Sequence, residues 1–377
     1  MFVQLCSKSA RGGAFARQPG TILVGRDDLV TTTCDDSGRL IIARNTPVTG
    51  SIEVYAFHGG GFRLLWTSSP IQHVDCLAPA GQRAIAVASS GRDVFVLSMT
   101  HRSYMLQQVG STDAIIRKLA VVRSRATAPG HMIYIAGGRE VGGHLLGAQL
   151  YIASLESPLR PVLQHNVRER HNAVDLSCGD VDADGNPEVL VTAWTRSQVH
   201  AEPDNRPYLY GFDGEQLWPK WMGSRLADPF LWAGLVDLDG RGVRSLVSAE
   251  RCESGQFKLA LYQWRGFGFR HVKSITADGR PVIALPSAAS DIYPAKVLVS
   301  FAAKDGKQFI ETFGRGGTAL SMEWKSKRFR RVVPLGIIRS SGRDLVVYAG
   351  DGQLYVRATG AERDKADGGV STRGVGR

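Results

Sequence analysis

The chain is poor in cysteine, in long apolar runs and in the common signatures of catalysis. Its five cysteines (Cys6, Cys34, Cys76, Cys178 and Cys252) lie far apart among 377 residues, with no C-x-x-C pair. An odd, scattered set argues against a disulfide framework and fits free thiols in a reducing compartment. No apolar run approaches the roughly 18 residues a membrane helix needs. The opening stretch, MFVQLCSKSARGGAFARQPG, lacks the apolar core of a secretory signal and carries Lys8, Arg11 and Arg17 with no acid before Asp27. Residues 1–19 therefore read as a basic arm, with an organelle transit peptide as the alternative, and an intracellular location is favoured. There is no H-E-x-x-H, no Cys/His zinc spacing and no G-x-S-x-G elbow, and the clusters GGGF and AGGREVGG do not form G-x-G-x-x-G before a helix. Zinc hydrolysis, serine-esterase chemistry and dinucleotide binding are left without sequence support.

Amphipathic helices are missing too. Short runs of branched residues bounded by Gly, Asp, Asn and Ser recur instead, and 43 glycines without a three-residue period supply turns. Hydrophobic residues make up 43% and charged residues 21%, enough for a sizeable core. The formal net charge of +11 suits an acidic partner (RNA, an anionic lipid surface or an acidic protein) or serves solubility alone.

One unit returns seven times: an apolar run, a polar loop, then a second run. It reads RLIIAR…SIEVYAF from Arg39, AIAVAS…DVFVLSM from Ala84, MIYIAG…AQLYIASL from Met132 and EVLVTAW…PYLYGF from Glu188. It returns as SLVSAE…LALYQW from Ser245, KVLVSF…QFIETF from Lys296 and DLVVYAG…QLYVRA from Asp344. Arg39 and Asp344 are six intervals apart, a period of about 51 residues, which is the span of a propeller blade. The segments beginning Tyr55-Ala-Phe57 and Tyr262-Gln-Trp264 match in spacing through to Phe62-Arg63 and Phe269-Arg270, and Tyr210-Gly-Phe212 gives a shorter copy. The expected fold is all-β: a seven-bladed propeller of four-stranded blades over residues 20–360. Tandem two-sheet sandwiches, the competing architecture, would repeat at about 90 to 100 residues. The last unit, about Val333 to Thr359, has room for three strands, so Thr21–Val24 is expected to supply the fourth and close the ring. The polar, glycine-rich residues 361–377 read as a disordered tail.

The segment GDVDADGNPEVLV, from Gly179, carries the one metal-like pattern. Alternating carboxylates let a curved loop aim Asp180, Asp182 and Asp184 at one centre, Gly185 permits the sharp turn, the Asn186 carbonyl adds an oxygen and Glu188 completes the shell. Calcium takes six to eight such oxygens. An EF-hand is ruled out, because its twelfth position is Val191 and a strand follows the loop. An acidic turn capped by its own backbone is the alternative. In the next unit, Gly234–Gly240 aligns with Gly179–Gly185. That alignment sets Asp237 and Asp239 against Asp182 and Asp184, with Leu235 and Val243 in place of Asp180 and Glu188, and implies weak calcium binding or none.

D-x-D-x-D-G-x-x-[DE] running into an apolar strand resembles the FG-GAP or VCBS repeat, the unit of integrin-α-like β-propellers. The Y-x-[FW]-x-G-x-G-F segments and LYGFDGEQLWPKW, from Leu209, are similar to that family's later strands. The resemblance is specific over about residues 172–270. It implies a propeller with one structural calcium ion held by a loop between two strands of a blade.

Two further clusters bear on partners. Trp324–Arg331 packs Lys325, Lys327, Arg328, Arg330 and Arg331 around two aromatics. That mixture suits single-stranded nucleic acid, or an exposed hairpin with its bases outside and rings inside. Arg265 and Arg270, with His271 and Lys273, are read as the matching place in another blade, sharing one rim with it. Glu250 and Glu253 with Asp213 are the candidate acids for sugar cleavage, and plain surface solvation is the favoured reading of them. The function expected is a non-enzymatic scaffold that binds protein subunits of a larger assembly. A lectin or polysaccharide lyase, and an RNA-associated subunit, are the alternatives.

Overall fold

The repeating runs are apolar at nearly every position, not at every second one, so the strands they form must be covered on both faces. The computed structural model describes residues 29–359 apart from 35–38, 47, 59–60, 80–83, 101–102, 123–129, 142–143, 156–159, 166–171, 215, 224, 288–293, 317–318, 341–342 and 352. The basic arm 1–19, the closing strand Thr21–Val24 and the tail 361–377 lie outside the described residues.

Those residues hold 27 strands in seven antiparallel sheets, and no helix. Sheet I contains β1 (Leu29–Cys34), β2 (Leu40–Asn45), β3 (Gly50–His58) and β4 (Gly61–Thr67). Sheet II contains β5 (Cys76–Pro79), β6 (Ala84–Ser90), β7 (Asp93–Thr100) and β8 (Ser103–Ser111). Sheet III contains β9 (Ile116–Val122), β10 (His131–Val141), β11 (His144–Ser154) and β12 (Arg160–His165). Sheet IV contains β13 (Asn172–Gly179), β14 (Glu188–Thr195), β15 (Asp204–Phe212) and β16 (Leu217–Met222). Sheet V contains β17 (Phe230–Val236), β18 (Ser245–Arg251), β19 (Phe257–Trp264) and β20 (Phe269–Ala277). Sheet VI contains β21 (Arg280–Pro286), β22 (Val297–Ala302), β23 (Gln308–Gly316) and β24 (Ala319–Lys325). Sheet VII contains β25 (Val332–Ser340), β26 (Arg343–Gly350) and β27 (Gln353–Ala358).

Strand order within every sheet follows chain order. Each repeat copy quoted above is the second and third strand of one sheet. The first strand of each sheet lies beside the first strand of the next, from β1 to β5 and onward to β25, and β25 lies beside β1. Core clusters sit between successive sheets. Val189, Val191 and Ala193 of sheet IV meet Ile133, Leu150 and Ile152 of sheet III. Val247 and Leu259 of sheet V meet Val299, Phe301 and Phe309 of sheet VI. Leu40, Ile42 and Tyr55 of the first sheet meet Leu335, Ile338 and Val347 of the last.

A one-residue bulge falls at a corresponding place in five fourth strands. Leu65, Val162, Lys220, Val272 and Glu323 have no partner across Tyr55, Ala153, Tyr210, Tyr262 and Phe313 respectively. The tyrosine ruler of the sequence thus marks a real structural position, and Phe313 is its fourth aromatic member.

Burying so many strand faces also buries charge. Four lysines each lie between two carboxylates: Lys220 by Asp182 and Glu188 (2.5 and 2.5 Å), Lys258 by Asp228 and Glu250 (2.6 and 3.2 Å), Lys296 by Glu323 and Asp344 (2.5 and 2.9 Å), and Lys325 by Asp278 and Glu311 (2.5 and 2.9 Å). Asp228 and Asp278 belong to the connections entering sheets V and VI, and Lys296 joins sheets VI and VII. Burial works against each ammonium, but the hydrogen bonds and charges of its two carboxylates outweigh it and hold all four above the ordinary lysine range. Tyr55 donates to Glu53 (2.6 Å) and Tyr262 to Glu250 (2.6 Å). Burial, reinforced by the bond to Glu53, pushes Tyr55 up to about 12, and burial does the same for Tyr348.

Two outcomes follow. Phe301, fully buried and stacked 5.4 Å from Phe309, should cost about 3–5 kcal/mol when changed to Ala, read by urea unfolding. The same change at Phe267, 86% exposed, should move stability by no more than about 0.5 kcal/mol. Alkali should weaken the fold. As the pH rises from the ordinary tyrosine value of 10.0 towards about 12, the unfolded chain releases protons that Tyr55 and Tyr348 still hold. The raised lysines act with the same sign, so unfolding free energy should fall across that interval, and less steeply in Tyr55→Phe. A rise over the same interval would contradict the assignment.

Candidate functional site

The aspartate loop leaves β13 at Gly179 and enters β14 at Glu188, which pair with each other. Asp180 faces back into the turn. One of its oxygens accepts the N–H groups of Asp182 (3.2 Å) and Ala183 (2.7 Å), and the other accepts that of Gly185 (2.8 Å). Asp182 accepts the amide of Asp184 (3.4 Å), Asp184 that of Asn186 (2.7 Å), and Glu188 that of Val181 (2.8 Å). Gly185 holds φ +86°, the left-handed conformation the turn requires. The side-chain oxygens of Asp180, Asp182 and Glu188 lie within 4.8 Å of one another, and Asp184 is outside that group.

Lys220 is the residue that sequence reasoning missed. It comes from β16, across β15 from Glu188. Its Nζ donates to Asp182 Oδ2 and Glu188 Oε1, both at 2.5 Å, and lies 4.0 Å from Asp184 Oδ2. Burial pushes the Glu188 carboxyl up, and the bonds from Lys220 and the Val181 amide pull it back. The carboxylates suit a cation, but as folded they do not fit calcium. An ammonium stands between two of the converging oxygens, and both oxygens of Asp180 are engaged by backbone amides. The only signal in the sequence was a lysine flanked by Pro219 and Trp221 in an otherwise apolar outer strand.

The corresponding loop in sheet V corrects the alignment. Asp237 follows β17 as Asp180 follows β13. It accepts the amides of Asp239 (3.3 Å) and Arg241 (3.1 Å) on one oxygen and of Gly242 (2.8 Å) on the other. Strand register agrees, since Val236 pairs with Ser245 as Gly179 pairs with Glu188. Asp237 therefore matches Asp180 rather than Asp182, and Asp239 matches Asp182. Arg241 and Ser245 replace Asp184 and Glu188. Two ligands are still missing, the counterparts of Asp184 and Glu188 rather than of Asp180 and Glu188. The loops also interlock. The Arg244 amide donates to the Asp180 carbonyl (2.6 Å), and a Cβ at Gly179 would collide with the Arg244 side chain.

The basic segment keeps its rings inside. Phe329 is buried against Tyr348 and Tyr355, and Trp324 packs on Tyr348. Lys325 is held by Asp278 and Glu311 and lies 4.4 Å from the Phe309 ring. Lys327 sits 5.7 Å from the rings of both Phe329 and Tyr355, and Arg328 pairs with Asp305 (2.9 Å). The amides of Arg330 and Arg331 donate to Asp351 (3.4 and 3.1 Å).

Strand direction separates groups that the sequence had placed together. In a four-stranded antiparallel sheet, the first-to-second and third-to-fourth connections lie at one end, and all others at the opposite end. Arg265 and Arg270 flank the third-to-fourth turn of sheet V, on the side of the aspartate loop. Lys327 to Arg331 lie in the connection after β24, at the opposite end. The two clusters do not share a rim. The same rule parts Asp213, in the turn before β16, from Glu250 and Glu253. Glu250 is not a solvated surface acid either: it is fully buried and bonded to Ser248 (2.5 Å), Tyr262 and Lys258. Beside the aspartate loop an open groove is lined by Val181, Asp182, Ala183, Val243, Trp264 and Arg265.

No family model and no curated protein matches the chain. Among solved structures it is similar to Sqt1 of Saccharomyces cerevisiae, at 10% identity and a TM-score of 0.53, over 91% of this chain and 100% of that one. At that identity the likeness speaks to architecture alone, and with the seven sheets above it makes this chain an all-β protein of propeller-type fold.

Proposed function

We propose that the chain is a closed seven-bladed propeller and a non-enzymatic scaffold that binds an acidic region of a partner protein on one face. Three observations support closure: seven sheets, the first and last sharing a core, and a last sheet whose β27 has no fourth strand beside it among the described residues. Thr21–Val24 would fill that edge. The shared carboxylate pattern of Asp180 and Asp237 supports the kinship of sheets IV and V with FG-GAP repeats.

The observation that carries the functional reading is a concentration of exposed cations. Lys304 and Lys307, in the turn between β22 and β23, lie next to Lys327, Arg328 and Arg330, because Gln308 bridges Phe329 and Arg328 reaches Asp305. Sequence spacing hid Lys304 and Lys307, which precede the segment by about twenty residues and meet it only through the fold. Trp324, Phe329 and Tyr355 are all at least half-buried, so this face offers charge without exposed rings for base stacking. That favours carboxylates over single-stranded nucleic acid. The separation of Asp213 from Glu250 and Glu253, and the burial of Glu250, count against the paired acids that sugar cleavage would use.

The reading is tested by anisotropy of a labelled glutamate-rich peptide. Changing Lys304, Lys307, Lys327 and Arg330 together to Glu should weaken binding about tenfold or more at low salt. Arg265→Glu with Arg270→Glu, at the opposite end, should change it less than about twofold. Equal losses from both variants, or tighter binding of a single-stranded oligonucleotide than of the peptide, would refute it.

A further inference from the structure

We infer that Lys220 is the resident cation of the aspartate loop, so that this loop folds and holds its shape without a divalent ion. The inference is independent of the partner proposed above.

Position is the first argument. The ammonium lies 2.5 Å from one oxygen each of Asp182 and Glu188, the approach a bound cation would make. Glu188 is only 1% exposed, so water cannot neutralise it in place of a partner. Six loop amides, those of Val181, Asp182, Ala183, Asp184, Gly185 and Asn186, donate to Glu188, Asp180, Asp182 and Asp184 and hold the carboxylates around the ammonium. Calcium, which takes six to eight oxygens at about 2.3–2.6 Å, would have to displace the ammonium from Asp182 Oδ2 and Glu188 Oε1.

The second argument comes from comparing units within the chain. Lys220 is a bulge residue, and the corresponding bulge residues are Leu65 in sheet I, Val162 in sheet III, Val272 in sheet V and Glu323 in sheet VI. In sheet V the residue matching Glu188 is the uncharged Ser245, and the bulge residue is apolar. In sheet IV the acid is kept, and the bulge residue is a lysine. In sheet VI the signs are exchanged: Lys296, which precedes Val297 as Glu188 precedes Val189, pairs with the bulge residue Glu323 at 2.5 Å.

The third is recurrence. Lys258, Lys296 and Lys325 each sit between two carboxylates at 2.5–3.2 Å. A lysine spanning two acids is the device this fold uses throughout its second half, and the aspartate loop is one instance of it.

Thermal unfolding of the full chain in EGTA and in millimolar CaCl2 tests the inference. Wild type should melt within about 1 °C in the two buffers, because a ligand that does not bind the folded form cannot raise its melting point. Lys220→Met should melt roughly 5 °C lower in EGTA, since it strands a buried carboxylate, and CaCl2 should restore a large part of that loss. A wild-type rise of several degrees in CaCl2 would overturn the inference. So would a Lys220→Met protein that melts like wild type in EGTA, or one whose loss CaCl2 leaves untouched. Should that variant fail to fold, terbium added to wild type remains decisive. Trp218 and Trp221 flank the site, and tryptophan-sensitised emission at stoichiometric terbium would show an ion displacing the lysine.

Discussion

A sheet of four short strands with apolar side chains on both faces cannot stand alone in water. That constraint governs the rest of this structure. Strand β14 buries six consecutive residues, Glu188 to Ala193, and β26 buries its last six. Neither pattern is tolerable at a surface. Each sheet therefore needs a neighbour on either side, and a row of such sheets has two bare ends unless the first meets the last. The shared core of Leu40, Ile42 and Tyr55 with Leu335, Ile338 and Val347 covers one face of the first sheet and one of the last. At roughly 1.5–3 kcal/mol for each such side chain taken from water, covering these two faces outweighs any single polar contact in the molecule.

The same packing forces charge inward, and the chain meets this with a consistent local solution. Glu53, Glu188, Glu250 and Glu311 are all at most 4% exposed, and each has a cationic neighbour: Arg44, Lys220, Lys258 and Lys325. An acid left alone there would be costly, and a matched pair roughly breaks even, so these pairs fix geometry more than they add stability. Lysines spent on the interior are not available to partners. Lys325 is one of these: it sits inside the most basic stretch of the sequence and yet belongs to the scaffold.

Much of the architecture was legible because the second and third strands of each sheet are unbroken apolar runs with polar loops between. The first strands were harder to see. Strand β13 reads NAVDLSCG and is only partly buried over most of its length, so it carries no unbroken apolar run. Lys220 left only a faint trace in the sequence, since its partners lie 32 and 38 residues away and meet it only through the fold. The misalignment of Asp237 has a similarly local cause. Gly240 and Gly242 both adopt positive φ, and spacing alone chose the wrong one as the counterpart of Gly185. The assignment of Arg265 and Arg270 to the basic face failed because one-dimensional spacing carries no information about which way a strand runs.

The bulges have one more consequence. An outer strand with a regular ladder of free amides would template a strand from another molecule. Strands β4, β8, β12, β16, β20 and β24 each break that ladder with an unpaired residue, and in β16 Pro219 removes a donor beside the break. An edge broken in this way is a poorer template for the cross-β stacking that seeds fibrils than a regular one. Copies of this chain crowded together would find few unbroken outer strands to extend.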